Sequence, residues 1–169
     1  MHAIGQGDVM KALVGNPKYY RTCASVFGCG TAYGSEYGKE VVIPSNIEKA
    51  RQLLKEADYD GTPVLLLHPS DHPFGSPQPL VIAQALRQAG FNVNVQTMDW
   101  QTLTTRRGNQ KPPAEGGWNM FVTFSAVGDQ PDPTRSILVA AAGRKSWFGW
   151  PDVPAVEEAR ARFTAATNP

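Results

Sequence analysis

The chain has 169 residues, with 16 Lys and Arg against 15 Asp and Glu for a formal net charge of +1, and is 41% hydrophobic and 18% charged. That balance describes a globular chain long enough to bury a core, and it excludes the disordered, fibrous and polybasic nucleic-acid-binding classes. No apolar run approaches the roughly 18 residues of a bilayer span, and Met1, His2, Ala3 and Ile4 lack the basic head and apolar core of a signal peptide.

Residues 8–14 predict a short helix stopped by Gly15, Asn16 and Pro17. From there to Pro44 no period is sustained. Residues 1–44 are therefore expected to form an irregular segment with one short helix, pinned by packing or by Cys23 and Cys29, on a single α/β domain over 45–169. A disulfide between those cysteines would close a short loop, contribute roughly 2 kcal/mol and indicate an oxidising compartment. Separate buried thiols, or half of a metal or redox site, are the alternatives, and the spacing is not that of a C-x-x-C redox pair.

Ser45, Asn46, Ile47 and Glu48 read as a capping box with Ser45 at its head, followed by Ile47, Ala50, Leu53, Leu54 and Ala57 at helical spacing. After Gly61, Thr62 and Pro63, the apolar run 64–67 predicts a strand buried on both faces. A helix over 77–89 should bury Val81, Ile82, Ala85, Leu86 and Ala89 and stop at Gly90. Phe91, Val93, Val95 and Thr97 alternate with polar residues and predict a second strand, after which Asp99 caps a helix running to about Arg107. A Gly- and Pro-rich stretch over 108–117 leads into a third strand carrying Trp118, Met120, Phe121, Val122 and Phe124. That strand breaks abruptly into the polar loop 125–133. Asp132 and Pro133 have the chemistry of a cap for a helix to Ala142. An aromatic loop, 147–151, precedes a last helix from about Pro154 with Val156, Ala159 and Phe163 inward.

Helices alternating with strands in this way predict an α/β fold with a mostly parallel sheet flanked by helices and right-handed crossovers. Parallel strands share one carboxyl edge, which would bring together residues 68–74, 98–100 and 125–132, where open α/β sheets hold their ligands.

Tests for catalysis find little. G-x-S-x-G, P-loop, G-x-G-x-x-G and H-E-x-x-H motifs are all missing, and no cofactor signature is present. His68 and His72 are four apart, but Pro69 and Pro73 deny them a helical metal-binding face, leaving a plain loop or a polar ligand contact at His72. Asp71 beside His72 is an acid/base pair only if geometry makes it one. Trp118 reads as core and Trp100 as cover for the sheet end, whereas Trp147 and Trp150 suit a cleft wall. Asp132 reads as a cap, and Asp129, with no such duty, is open between turn residue and ligand anchor.

Three segments resemble the substrate-binding proteins of ABC importers of the oligopeptide, dipeptide and nickel class, solute-binding protein family 5. Residues 47–61, with the run Ile-Glu-Lys-Ala-Arg-Gln-Leu-Leu-Lys-Glu-Ala-Asp-Tyr-Asp-Gly, resemble a family helix and its Gly-containing turn. Residues 86–100 resemble its next helix-strand step. Residues 116–121, Gly-Gly-Trp-Asn-Met-Phe, with the Gly-Asp-x-x-Asp-Pro motif over 128–133, resemble its third strand and ligand loop. The resemblance covers about residues 45–165. It implies one lobe of a type II periplasmic-binding-protein-like fold, read here as the C-terminal lobe of a longer extracytoplasmic parent, periplasmic or lipid-anchored. The implied partners are a small solute, a peptide among the candidates, the parent's N-terminal lobe and an ABC transporter permease, with no nucleic acid among them.

By the same resemblance Asp129 is the acid that meets a ligand amino terminus, and His72 stands where dipeptide binders carry a basic residue for the ligand carboxylate. Ser125 and Ala126 replace a Gly-Trp pair of those binders. With His72, Phe74, Ser125, Asp129, Trp147 and Trp150 expected along half of a cleft, the reading is a non-enzymatic solute receptor acting by two-lobe closure. A free peptide, modified peptide, opine, sugar derivative or metal complex are all open as the solute. The alternatives are a small α/β hydrolase using Asp71, His72 and Asp129, or a protein-interaction module.

Overall fold

The computed structural model describes residues 1–166. The chain divides into two compact units: Met1–Ala24 with Glu36–Phe124, and Ser25–Ser35 with the chain from Ser125 onward.

The first unit holds five helices, α1 (Gln6–Val14), α2 (Lys39–Val42), α3 (Ile47–Glu56), α4 (Pro77–Ala89) and α5 (Trp100–Arg106), and three strands, β1 (Val64–Pro69), β2 (Val93–Met98) and β3 (Met120–Phe121). The strands form one sheet in the order β2-β1-β3, and both pairings are parallel, as the alternation of elements predicts. Val64 pairs with Val93 and Leu66 with Met120. β1 is central and buried on both faces. Leu66 points into a core with Ala3, Ala50, Ile82, Ala83, Leu86, Ala89 and Val93, while Leu65 and Leu67 point the other way onto Leu103 with Trp100, Trp118 and Phe121 around them.

α4 ends as its sequence demands. Gly90 takes φ 106°, its N–H bonds the Arg87 carbonyl, and the Phe91 N–H reaches back to the Leu86 carbonyl at 3.0 Å. A β-carbon on Gly90 would lie 3.2 Å from the end of the Leu54 side chain, which a small shift relieves, so it is the conformation that requires glycine. The inward stripe of α4 is rotated slightly from the sequence expectation: Pro79 and Ala83 are buried with Ile82, Leu86 and Ala89, whereas Val81 and Ala85 are half-buried. α3 is capped by Asn46 rather than Ser45. Its Oδ1 accepts from the Lys49 N–H at 2.9 Å, and its own N–H is given to the His2 carbonyl at 2.6 Å, so no glutamate needs to reach back. Glu48 pairs instead with Arg51 at 2.8 Å.

The N-terminal segment enters the core through Ala3, with Ile4 and Val9 packed beside it and α1 lying on α4. The Gln6 side chain clamps the Cys23 backbone, donating to its carbonyl at 2.8 Å and accepting from its N–H at 2.5 Å. Cys23 and Cys29 are disulfide-bonded, which removes the free-thiol and metal alternatives for them.

The second unit contains α6 (Pro154–Ala165) and a series of turns. The helix expected from Asp132 to Ala142 is absent. Asp132 does cap a turn, accepting from the Thr134 and Arg135 N–H groups at 2.7 and 2.9 Å, but Arg160 of α6 then donates to the carbonyls of Pro133 and Thr134 at 2.9 and 3.0 Å. Those are the acceptors a continuing helix would need for its own amides. On α6, Val156 and Phe163 are half-buried as expected and Ala159 is exposed; Phe163 meets Tyr33 edge-on with centroids 5.2 Å apart. No helix among the described residues is long and apolar enough to cross a membrane.

Candidate functional site

The three strands of the first unit end side by side, and the chain places aromatic rings just beyond each end. His72 and Phe74 come after β1, Trp100 after β2 and Phe124 after β3. The rings converge. His72 lies 4.5 Å from Phe124, centroid to centroid, with planes 27° apart; Trp100 lies 5.6 Å from Phe124, also at 27°; His72 and Trp100 are 4.8 Å apart. Phe74 stands at the edge, 6.2 Å from His72 and 6.0 Å from Phe124. Phe74 is 58% exposed and Phe124 44%, so this aromatic shelf faces outward.

Local chemistry holds the shelf rigid. The turn after β1 closes through the His72 carbonyl, which accepts from the Gly75 and Ser76 N–H groups at 3.1 and 2.8 Å. His72 Nδ1 accepts from the N–H groups of Phe74 and Gly75 at 3.3 and 3.2 Å, which leaves Nε2 as the ring's donor nitrogen. Gly75 is buried, and a β-carbon there would sit 2.8 Å from Pro69. Asp71 Oδ1 accepts from the Trp100 N–H at 2.7 Å, and Asp99 caps the next turn of α5 through Thr102. The Thr102 hydroxyl and amide hold the Asp99 carboxyl below its usual range. Arg107 lies over the Trp100 ring, 5.9 Å from its centroid.

His68, four residues before His72, is buried and spoken for, with Nδ1 3.1 Å from the Thr97 hydroxyl and Nε2 3.0 Å from the Ser76 carbonyl. Asp71 Oδ1 is taken by the Trp100 N–H and His72 Nδ1 by two amides, so neither of those atoms serves the other as an acid/base partner.

The remaining sequence candidates lie in the second unit. Asp129 is exposed and does have a local duty: its Oδ2 accepts from the Ala126 N–H at 3.1 Å and from the Ser125 hydroxyl at 3.4 Å, capping the turn Val127–Asp129. Behind it, the buried Gln130 donates to Ser125 Oγ at 3.1 Å and accepts from the fully buried Ser136 hydroxyl. Trp147 and Trp150 flank Phe148 in a loop where Trp150 takes a positive φ of 47°, and with Ile137 and Ala140 they border a cavity of about 280 Å³.

The Glu157–Arg160 ion pair of α6 ties that unit together. Glu157 Oε1 accepts from the Ala141 N–H at 2.7 Å and from Arg160 at 2.7 Å. The Ala141 amide, then Arg160, lower the Glu157 carboxyl below its ordinary value. A depressed carboxylate stabilises the fold above its unfolded pKa of about 4.3, and that contribution disappears as the pH falls through the lowered folded value. Glu157→Gln is accordingly expected to flatten the acid limb of a melting-temperature profile; an acid limb identical to that of the unaltered chain would remove Glu157 from the account.

Among the residues missed by sequence reasoning, Phe124 matters most. It read as a strand residue, yet β3 ends at Phe121 and the chain carries Phe124 onto the His72 ring. Counting side chains just beyond each strand end would have found it.

Open parallel α/β sheets hold their ligands at the carboxyl ends of the strands, and this sheet carries its aromatic rings there. The fold is that of periplasmic binding proteins: the structure aligns with an ABC transporter substrate-binding protein, CtaP of Listeria monocytogenes, at a TM-score of 0.79 and 13% identity, over 99% of this chain and 33% of that one. The chain belongs to the bacterial extracellular solute-binding proteins of family 5, whose middle region matches residues 2–146. It is also 32% identical over 164 residues to the "Probable peptide ABC transporter periplasmic-binding protein y4tO" of Sinorhizobium fredii (strain NBRC 101917 / NGR234), covering 96% of this chain and 31% of that relative. The chain thus spans about a third of the length of these relatives.

Proposed function

We propose that the chain supplies ligand contacts in an extracytoplasmic receptor, periplasmic or lipid-anchored, that delivers a peptide-like or other small solute to an ABC transporter permease. Family membership over residues 2–146 carries this reading, and the relative whose name specifies peptide transport supports the solute class. Closure of a second lobe would complete the binding site, with apolar walls giving affinity and polar groups setting orientation. In the first unit, His72 and Phe74 are the proposed contacts, joined by Trp100 and Phe124. In the second, Ser125, Asp129, Trp147 and Trp150 are proposed, Asp129 meeting an amino group through the oxygen its turn leaves available. The receptor acts without chemistry on its solute, a view supported by the commitment of Asp71 and His72 to neighbouring amides.

The test is a titration of the isotope-labelled chain with peptides, monitored by NMR. Perturbed amides should cluster after the three strands, and Asp129→Ala should weaken peptides with a free amino terminus more than N-acetylated ones, by roughly tenfold for a lost charge-assisted bond. Hydrolysis of an ester, amide or phosphate panel would overturn the reading in favour of an enzyme. A protein partner shifting the chain on gel filtration, with no small solute bound, would favour an interaction module.

A further inference from the structure

We infer that the shelf of His72, Trp100 and Phe124 receives a flat aromatic group of the solute, and that His72 serves there as a stacked ring rather than as the partner of a carboxylate. This rests on the receptor reading above and narrows its solute class.

Phe124 is within 27° of parallel to both His72 and Trp100, whose own planes are tilted 45° to each other, so Phe124 is the ring whose plane sets the shelf. The exposed Phe124 ring, near-parallel to both neighbours, suits another planar ring in offset stacking. Phe124 has 44% of its surface and Phe74 58% of its surface still exposed, which leaves apolar ring area for such a partner to cover.

The polar groups beside His72 argue against a carboxylate partner at that ring, and the cation at the shelf, Arg107, lies instead on the Trp100 ring. With Nδ1 accepting from two amides, His72 has one N–H to offer, at Nε2, and cannot present the paired donors that grip a carboxylate. Phe124 and Trp100 pack against its ring, at centroid distances of 4.5 and 4.8 Å. The carboxylate of Asp71, exposed beside the shelf and fixed on the Trp100 N–H, adds a like charge that an incoming carboxylate would meet. An uncharged ring encounters none of these penalties.

The test compares three tripeptides on the labelled chain: trialanine and its analogues with a central leucine or a central phenylalanine. The phenylalanine peptide should bind roughly three- to tenfold more tightly than the leucine peptide, the range a single aromatic contact provides beyond area burial. It should also move the His72 ring protons and the Trp100 indole N–H by ring-current shifts. Phe124→Leu, at an exposed position and of similar bulk, should bring the ratio between the two peptides toward one. Equal affinity for the two, or a preference that survives Phe124→Leu, overturns the aromatic subsite while the receptor reading stands. Failure of all three peptides to bind overturns the receptor reading for peptides, and the subsite with it.

Discussion

Gly117→Ala is expected to cost about 3–5 kcal/mol, at the upper end of what single substitutions do, and to loosen β3 from the sheet. A β-carbon at position 117 would lie 1.7 Å from the Lys111 carbonyl oxygen, 2.8 Å from its carbon and 2.9 Å from the Pro112 oxygen. All three are backbone atoms. No rotamer change relieves the overlap, so the loop over 108–117 must open. Opening it breaks the Gly117 N–H bond to Pro112 at 3.0 Å and the Arg106 bonds to the Gly116 and Gly117 carbonyls at 3.0 and 3.1 Å. Arg106 also holds Gln96 at the end of β2, so the disturbance reaches the sheet from two sides. The entry to β3, where Asn119 exchanges bonds with Leu65 at 3.0 and 2.8 Å, is only two residues further on. Urea unfolding and hydrogen exchange at Met120 and Phe121 measure the effect; a midpoint unchanged from the parent chain would show that the loop has room the packing denies.

The core of the sheet was legible because its signals are local or repetitive. Four consecutive apolar residues over 64–67 mean a strand buried on both faces, Gly90 marks a helix stop that needs positive φ, and Asp99 bonds an amide three residues away. The features that the sequence concealed depend on distant partners. Asp132 caps its turn as read, yet the helix fails because α6, nearly thirty residues on, sends Arg160 to the carbonyls of Pro133 and Thr134 and Glu157 to the Ala141 amide. The capping box at Ser45 was misplaced by one residue for the same reason, since the His2 carbonyl takes the Asn46 N–H.

The candidate site divides along the same line. His72 and Phe74 were visible as loop residues after a predicted strand. Trp100 read as cover for the sheet end, which is true, but its second role depends on Phe124 arriving from another strand. Asp129 read as open between turn residue and ligand anchor, and its bonds to the Ala126 amide and the Ser125 hydroxyl give it the turn role, leaving the anchor role to be tested.

Trp100→Ala tests whether fold and shelf share a residue. The ring is half-buried against the cluster of Leu65, Leu67 and Leu103, so truncation should cost about 2–3 kcal/mol, below the ~3–5 kcal/mol of a fully buried aromatic side chain. It also deletes the ring 4.8 Å from His72 and 5.6 Å from Phe124, along with the surface under Arg107. Trp100→Phe keeps an aromatic face and most of the apolar contact, and should recover over half of the lost stability. The two effects are read separately. Urea unfolding reports the core, and the His72 ring-proton shifts report the shelf, because they carry the ring current of the indole. If Trp100→Ala destabilises the chain while those shifts stay where they were, the ring covers the sheet end only, and His72 and Phe124 must make the platform without it.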